Sequence, residues 1–387
     1  MNVLRARGGP AQVAGASAPG APAATAAEAS TVGASTAGTS ASGTTGRPAP
    51  GRDRAAALTA GLLVCAAVLV VAVAASLAVG TKSVPLDTVF NTVFHHDPDN
   101  GDQIIVTSLR LPRTVIGLLA GAALGLAGTV MQGLTRNPLA DPGLLGVNSG
   151  AALAVVTAIS VFGITSFTGY VWFGFLGAAA AALLVYAIGS LGREGATPVK
   201  LALAGAAVSA GLSSFTTAVL LTDSATFDRF RFWEVGALAG RDLSVAYQAG
   251  PFVLVGAVCA LGSGRLLNTL GLGDDTARGL GLNIAGARIF CAVSVVLLCG
   301  AATALAGPIG FVGLTIPHVV RFFTGPDHRW ILPYSLLLAP ALLLVSDIVG
   351  RLVARPGEIQ VGIVTAVIGA PVLIVLVRRS RLAGAGL

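Results

Sequence analysis

The amino-acid sequence predicts an all-α polytopic membrane protein of about ten transmembrane helices, with an inverted repeat and a disordered N-terminal tail. Only 11% of the 387 residues are charged while 54% are hydrophobic, whereas an average soluble domain is about a quarter charged. The charges are clustered, and long uncharged stretches separate the clusters. This composition excludes an ordinary soluble enzyme, a nucleic-acid-binding protein and a chain that is disordered throughout. The net charge of +7 therefore reflects cations at the ends of membrane spans.

The N-terminal segment differs in composition from the rest of the chain. Residues 1–56 consist mainly of Ala, Ser, Thr, Gly and Pro, with almost no large apolar side chains. Such a segment cannot bury enough apolar surface to offset the entropy of the chain, so we predict a disordered cytoplasmic tail. The apolar run that follows is longer than the hydrophobic region of a signal peptide. We therefore interpret it as a retained span, which opens a membrane domain over residues 57–380.

Uncharged stretches of about one membrane crossing follow one another along this domain. A helix needs about 20 apolar residues to cross the hydrocarbon core, and 22 uncharged residues lie between Arg113 and Arg136. A single stretch of 51 uncharged residues fits two crossings. A further stretch of 32 residues is interrupted by Gly307-Pro308 and Pro317. We interpret it as one full helix followed by one short broken helix.

The distribution of cations predicts the orientation of the chain. Arg52 and Arg54 precede the first span, and Arg378 follows the last. Because cations are enriched on the cytoplasmic side, both termini are expected in the cytoplasm, which requires an even number of spans, here ten. Apart from Arg5, Arg7 and Arg47 in the tail, this topology leaves 13 Lys and Arg residues inside and 8 outside. The bias has the expected sign but is weak, because eight cations are unusually many for the outer side. They are Lys82, Arg110, Arg113, Arg229, Arg231, Arg241, Arg351 and Arg355.

A weak internal repeat is visible. Residues 121–128 read GAALGLAG and residues 300–307 read GAATALAG, and each is followed by Gly-Leu-Thr. With ten spans the two copies lie in helices that cross in opposite directions, which is the arrangement of an inverted repeat in transporters. Chance similarity in a chain rich in Ala, Gly and Leu is the alternative.

The sequence carries no recognisable catalytic motif. Neither of its two lysines lies in a phosphate-binding loop of the form GxxxxGK[ST]. The four cysteines lack CxxC spacing, and the adjacent His95 and His96 have no third ligand at helical spacing. Asp347 is the clear acidic residue within a span, and Arg351 lies one helical turn later. We expect these two residues to form a structural pair.

The loop of residues 266–287 contains several apolar side chains but is too short to span a membrane as two short helices. We expect two short helices, the first ending at Gly273 and the second stopping at Gly281. Asp274 or Asp275 is expected to cap the second helix. The loop either docks in a groove of a partner or lies on the lipid surface, and its scarcity of Lys and Arg favours the partner. The apolar side chains expected on its surface are Leu272, Ala277, Leu280 and Leu282.

Six sequence stretches carry a resemblance to a known family. They are RLPRT at 110–114, MQGLTRNPLADPGLLGVNSGA at 131–151, ATPVKLALAG at 196–205, FRFWEVGALAGRD at 230–242, AGPIGFVGLTIPHVVR at 306–321 and EIQVGIVTAVIGAP at 358–371. In these motifs and their order the chain resembles the FecCD family of ABC-transporter permeases, the ten-helix importers of ferric siderophores, haem and cobalamin. One departure is Gln360, where the family usually has proline, so the start of the last helix is less rigidly defined.

The resemblance implies a set of partners. Permeases of this family work as homo- or heterodimers with two ABC ATPase subunits inside and an extracytoplasmic substrate-binding protein outside. It therefore implies a chain that is not itself an enzyme and holds no cofactor, because ATP and Mg²⁺ are bound by the partner ATPase. The expected location is the bacterial cytoplasmic membrane, in contact with lipid and without nucleic acid.

The resemblance also assigns roles to residues. Arg110, Arg113 and Arg351 are expected to meet acidic side chains of the binding protein. Thr197, Pro198 and Val199 are candidates for a cytoplasmic gate, although Pro198 fits equally well as a plain helix start. The residues expected to couple the loop to the ATPase are Leu272, Gly273, Asp274, Asp275, Ala277, Leu280 and Gly281.

Three functions remain open at the level of the sequence. The first is a permease for ferric siderophores, and the second is the same machine for haem or cobalamin. The third, from another class, is a secondary transporter driven by an ion gradient. The scarcity of carboxylates within the spans disfavours the third, because proton-coupled transport needs buried acidic groups.

Overall fold

The fold is that of a computed structural model, in which residues 50–80, 82, 84–94, 99–164, 166–192 and 197–384 are described. Apart from residues 50–56, the predicted tail lies outside the described residues, as do His95 and His96. The first helix begins at Pro50, within the segment expected to be disordered. Proline at the start and Asp53 in the first turn favour a helix there, although neither residue is apolar enough to be counted in a span.

The described residues form helices and no strands. A π-helical stretch, Ile105–Arg110, leads into the long helix that begins at Leu111, and a 3₁₀ turn, Pro142–Leu145, precedes the helix that begins at Val147. In chain order the helices are α1 Pro50–Ala78, α2 Leu86–Phe94, α3 Gly101–Ile104, α4 Leu111–Thr135, α5 Val147–Ser160, α6 Phe167–Gly189, α7 Pro198–Thr222, α8 Ser224–Glu234, α9 Leu243–Gly262, α10 Gly264–Gly271, α11 Asp274–Gly279, α12 Ile284–Ala306, α13 Val312–Thr324, α14 His328–Val353 and α15 Val361–Gly384.

Polar side chains fix where many of these helices begin. The first turn of a helix leaves backbone N–H groups without partners, and a preceding Ser, Thr, Asn or Asp satisfies them. The side chains that accept such bonds belong to Asn100, Ser166, Thr197, Asp223, Asn283 and Asp327.

Seven helices among the described residues are long and apolar enough to cross a membrane, so the chain is a multi-pass membrane protein. They are Asp53–Ala78, Gly101–Thr135, Gly169–Gly189, Val199–Thr222, Leu243–Gly262, Ile284–Ala306 and His328–Val353. The other three expected spans correspond to α5, α13 and α15. The first two have 14 and 13 residues, or roughly 20 Å of helix. In α15 only residues 361–375 form an apolar segment.

The centre of the bundle is α4, which packs against α14, α12, α9 and α13. Small residues permit the closest approaches. A Cβ atom added to Gly128 would overlap the backbone of Gly313 in α13, and one added to Gly121 would overlap Pro340 in α14. Close backbone contact at small residues is typical of helix packing in membranes.

At the periphery, α1 packs mainly on α14 and exposes most of its surface. Polar contacts fix its first half: Tyr334 Oη donates to Leu58 O at 2.6 Å, and Arg54 Nη2 donates to Thr324 O at 3.2 Å. The apolar, outward-facing surface of α1 suits contact with lipid.

Candidate transport site and its two charged ends

One end of the bundle holds a buried network of charges. Asp347 of α14 is fully buried. Arg113 of α4 donates two hydrogen bonds to its carboxylate, from Nη2 to Oδ1 at 2.7 Å and from Nε to Oδ2 at 2.9 Å. Arg351 Nη2 lies 3.2 Å from Asp347 Oδ2, and Arg113 Nη1 donates to Glu358 Oε2 at 2.7 Å. The expected Asp347–Arg351 pair is therefore present, and Arg113 is the stronger partner because its contact is bidentate.

Three arginines at this end also hold the end of α1. Arg351 Nη1 donates to the carbonyls of Ser76 and Val79, Arg110 donates to those of Leu77, Ala78 and Lys82, and Arg355 donates to Gly80 O. The last carbonyls of a helix lack intrahelical partners, and cations near this terminus are favourable. Three of the cations that the predicted topology puts on the outer side thus make contacts within the chain.

Two of the three arginines assigned to docking are enclosed within this chain. Arg110 is 5% exposed and Arg351 is 2% exposed, while Arg113 keeps 11% of its side chain accessible. Of the eight cations that the sequence predicts on the outer side, the exposed ones are Lys82, Arg229, Arg231 and Arg355. Docking by the three arginines stays a prediction, and their burial assigns Arg110 and Arg351 an internal role as well.

The opposite end of α4 carries a second charged layer, formed with the loop of α10 and α11. Asp274 pairs with Arg136, the residue that follows α4, and its Oδ2 accepts from Arg288 Nη2 of α12 at 2.9 Å. Partial burial raises the pKa of Asp274, but the hydrogen bond from Arg136 and the charges of both arginines lower it by more. The net effect is a pKa below the usual range, which keeps this carboxylate ionised at neutral pH.

A second contact ties α10 to α14. Asn268 Nδ2 donates to Asp327 Oδ1 at 2.6 Å. Asn268 Oδ1 accepts from the backbone N–H of His328 at 2.9 Å and from its ring Nδ1 at 3.0 Å. The His328 ring lies against Gly133 of α4, so α10, α14 and α4 meet at this point.

The loop forms the two short helices expected from the sequence, with differences in detail. The first ends at Gly271 and the second begins at Asp274, with Gly273 between them at φ 102°. The capping role expected of Asp274 or Asp275 is wrong: Gly273 occupies the cap position without a side-chain bond, and Asp275 pairs with Arg278 at 2.9 Å. Asp274 instead turns toward the arginines.

The surface of the loop is apolar, but smaller than expected. Leu272 and Leu280 are 61% and 66% exposed, and Gly281 adopts φ 79°, as its stop role requires. Ala277 is fully buried, so its assignment to the exposed surface is wrong. It lies on the inner face of α11, where a methyl group fits against the bundle.

The candidate gate lies at the start of α7. Thr197 Oγ1 accepts from the backbone N–H of Lys200 at 3.4 Å, and Pro198 is the first helical residue. This is the geometry of an ordinary helix start, with Val199 exposed beside it. A gating role for these residues stays a prediction.

A polar cavity lies between α5, α7 and α8. It encloses about 390 Å³. Ser213 Oγ donates to Ser149 Oγ at 3.4 Å across it, and Thr303 Oγ1 donates to Asn148 Oδ1 at 3.5 Å beside it. Its polar lining residues are Asn148, Ser149, Ser213, Thr216, Thr217 and Glu234. No sequence motif had identified these positions.

Neither charged end nor the cavity offers a metal site. Among the described residues no group of three or more His, Cys, Asp or Glu side chains could hold a metal ion. The four cysteines are unpaired thiols. The chemistry that these side chains can supply is hydrogen bonding and charge pairing.

Comparisons with known proteins agree with this architecture. The profile of the FecCD transport family matches residues 68–379. The chain is 47% identical over 317 residues to the ferric enterobactin transport system permease protein FepD of Escherichia coli K12, covering 82% of this chain and 94% of FepD. It is 35% identical over 312 residues to the hemin transport system permease protein HmuU of Yersinia pestis, covering 79% and 92%.

A solved structure extends the comparison to the fold. It is an inward-facing conformation of a metal-chelate type ABC transporter, and it matches with a TM-score of 0.73 at 30% identity over 82% of this chain and 98% of that one. The matched residues include the six motifs and both charged ends of the bundle. The chain therefore belongs to the FecCD transport family.

Proposed function

We propose that this chain is the permease subunit of an ABC importer that moves ferric siderophore complexes into the cytoplasm. The family and the identity to a ferric enterobactin permease support this substrate class. The alternative is haem or cobalamin carried by the same machine, which the relation to a hemin permease keeps open. The chain is a passage and not an enzyme, and it uses no cofactor of its own.

The polar cavity is the observation that carries the proposal. Polar side chains within membrane helices face the bundle interior or a water-filled space, yet α7 exposes Ser213 and Thr217 on the outside of this chain. A second permease chain packed against α7 and α5 would enclose that polar wall. We propose that the passage for substrate runs between the two chains along this wall.

The proposal includes ten crossings, with α5, α13 and α15 as the three beyond the seven long helices. Non-helical backbone is tolerated at membrane depth only where protein buries it. The breaks before α5 and α13 meet this condition, because Leu145 and Ile309 are buried. With ten crossings both termini would lie in the cytoplasm. The helices α4 and α12, which carry the two copies of the repeat, would then be equivalent helices in the two halves of an inverted repeat.

The partners are assigned to the two ends of the bundle. ABC ATPase subunits, which hold ATP and Mg²⁺, are proposed to bind the α10–α11 loop through Leu272 and Leu280. The extracytoplasmic binding protein is proposed to dock at the opposite end. At that end Arg113 is proposed to contact acidic side chains of the binding protein. Arg110 and Arg351 hold the end of α1, and the binding protein is proposed to contact this end of the helix. Thr197–Val199 remains the proposed gate beside the ATPase.

Uptake is expected to depend on the ATPase subunit and to be blocked by vanadate. Radiolabelled ferric enterobactin, hemin and cobalamin are offered separately to cells that carry the chain with its ATPase and binding protein. ATP hydrolysis by the partner drives the cycle, so a protonophore should leave the initial rate unchanged when ATP is maintained. Uptake that persists without the ATPase and collapses with the protonophore would instead support the ion-gradient transporter.

Filling the polar cavity is expected to slow uptake. Ser213→Phe places a ring in the passage, and we expect the initial rate to fall at least about tenfold, which corresponds to about 1.4 kcal/mol of added barrier. The matched control is Ser214→Phe, since Ser214 is the next residue of α7, is also exposed and does not line the cavity. Equal rates for the two variants, at equal amounts of protein in the membrane, would contradict a passage along this wall.

A further inference from the structure

The α10–α11 loop is attached to the membrane helices by two separate polar contacts, and neither lies on its exposed apolar surface. One contact is the carboxylate of Asp274 between Arg136 and Arg288. The other is the amide of Asn268 against Asp327 and His328. A loop held at one point can swing about it, whereas a loop held at two points must move with its supports.

The Asp274 contact joins three elements at one carboxylate. It lies at the first residue of α11, Arg136 lies at the end of α4, and Arg288 lies in the first turns of α12. The Arg288 side chain is only 13% exposed, so solvent weakens this pair less than it weakens a surface pair. Arg136 has φ 52°, a conformation that non-glycine residues adopt only where their surroundings hold them.

The Asn268 contact joins α10 to the start of α14. Its amide uses both ends: the nitrogen donates to the Asp327 carboxylate and the oxygen accepts two bonds from His328. Asp327 also accepts from the backbone N–H of Arg329 at 2.9 Å, so it starts α14 and binds α10 with the same carboxylate. Leu267 and Leu270 of α10 are buried, so α10 also packs its apolar face into the protein.

We propose that Asp274 and Asn268 are positioning residues that transmit movement of the loop to α4, α12 and α14, and that they do not bind the ATPase themselves. The division follows from exposure: Leu272 and Leu280 project from the loop, while the two polar contacts face the bundle. The inference rests on the proposed function, because it needs an ATPase that moves the loop. Movement is carried between distant sites by linked elements of this kind.

Breaking either contact should separate ATP hydrolysis from transport. We place the complex of permease, ATPase and binding protein in liposomes, with radiolabelled ferric enterobactin as the probe, and measure ATP hydrolysed per iron imported. For Asp274→Asn and for Asn268→Ala the ratio is expected to rise by roughly fivefold or more, the lower end of typical coupling factors. The ATPase should co-purify at the wild-type stoichiometry, because the exposed leucines are unchanged.

Three comparisons make the result decisive. Asp274→Glu keeps the charge and is expected to recover most of the ratio, and Asp53→Asn, an exposed carboxylate on α1, should leave it at the wild-type value. A double variant of Asp274→Asn with Arg288→Gln should be no worse than the first alone, because both remove the same contact. An unchanged ratio in both single variants would overturn the inference.

Loss of the ATPase from the complex in proportion to loss of transport would also overturn it, since the residues would then only shape the docking surface. Failure of the proposed function gives a different result. In that case the wild-type permease and binding protein import iron into liposomes from which the ATPase has been left out.

Discussion

Replacing Asp347 by Ala is expected to lower the free energy of unfolding of the chain by about 3–5 kcal/mol, because it removes the buried carboxylate that Arg113 and Arg351 share. Asp347 is the shared partner of Arg113 and Arg351, and it is fully buried. Arg351 is 2% exposed and Arg113 keeps 11% of its side chain accessible, so water can replace little of the lost carboxylate at either guanidinium group. The measurement is denaturant unfolding of the purified chain in detergent, followed by the fluorescence of its tryptophans.

The control for this prediction is Glu358→Gln, at the other carboxylate that contacts Arg113. Glu358 keeps 35% of its side chain exposed, and surface pairs typically contribute about 0–1 kcal/mol. A loss below about 1 kcal/mol is therefore expected there. If the two variants unfold at the same denaturant concentration, the buried network does not hold the ends of α1, α4 and α14 together.

The lengths of the long helices could be predicted from the sequence, and so could the break at Gly307-Pro308, where α12 ends at Ala306 and the short α13 follows. The break before α5 could not. Charge-free stretches gave α4 and α12 because a bilayer demands a fixed apolar length. The same count assigned two spans to the uncharged stretch between Asp141 and Arg193. In the structure this stretch begins with a 3₁₀ turn, Pro142–Leu145, and α5 has only 14 residues. Hydropathy measures the solvent that side chains prefer, and it does not respond to a backbone that breaks inside protein.

The candidate site was predictable only where its partners are neighbours in sequence. Asp347 and Arg351 are four residues apart, so helical spacing paired them correctly. Arg113 lies 234 residues from Asp347, and no periodicity connects the two. Asn268 and Asp327 are separated by 59 residues in the same way. Contacts of this kind depend on which helices meet, and family motifs indicate such residues without giving their partners.

Replacing Leu280 by Asp is expected to release the ATPase from the permease. Leu280 is 66% exposed at the end of α11, and burying a leucine side chain at an interface typically contributes about 1.5–3 kcal/mol. An aspartate there loses that contribution and adds an unpaired charge to an apolar contact. The two effects together should weaken association about 100-fold, since each 1.4 kcal/mol is a factor of about ten.

The measurement is the amount of ATPase that co-purifies with the tagged permease. The control must show whether the loss of any exposed leucine releases the ATPase or only the loss of one in the α10–α11 loop. Leu191→Asp supplies it, because Leu191 is 70% exposed just after α6 and lies outside the loop. Only Leu280→Asp should lose the ATPase, since the fold tolerates an exposed aspartate at either site. Retention of the ATPase by both variants would exclude the α10–α11 surface as its docking site. Loss by both would indicate that the whole end of the bundle, and not this loop, holds the partner.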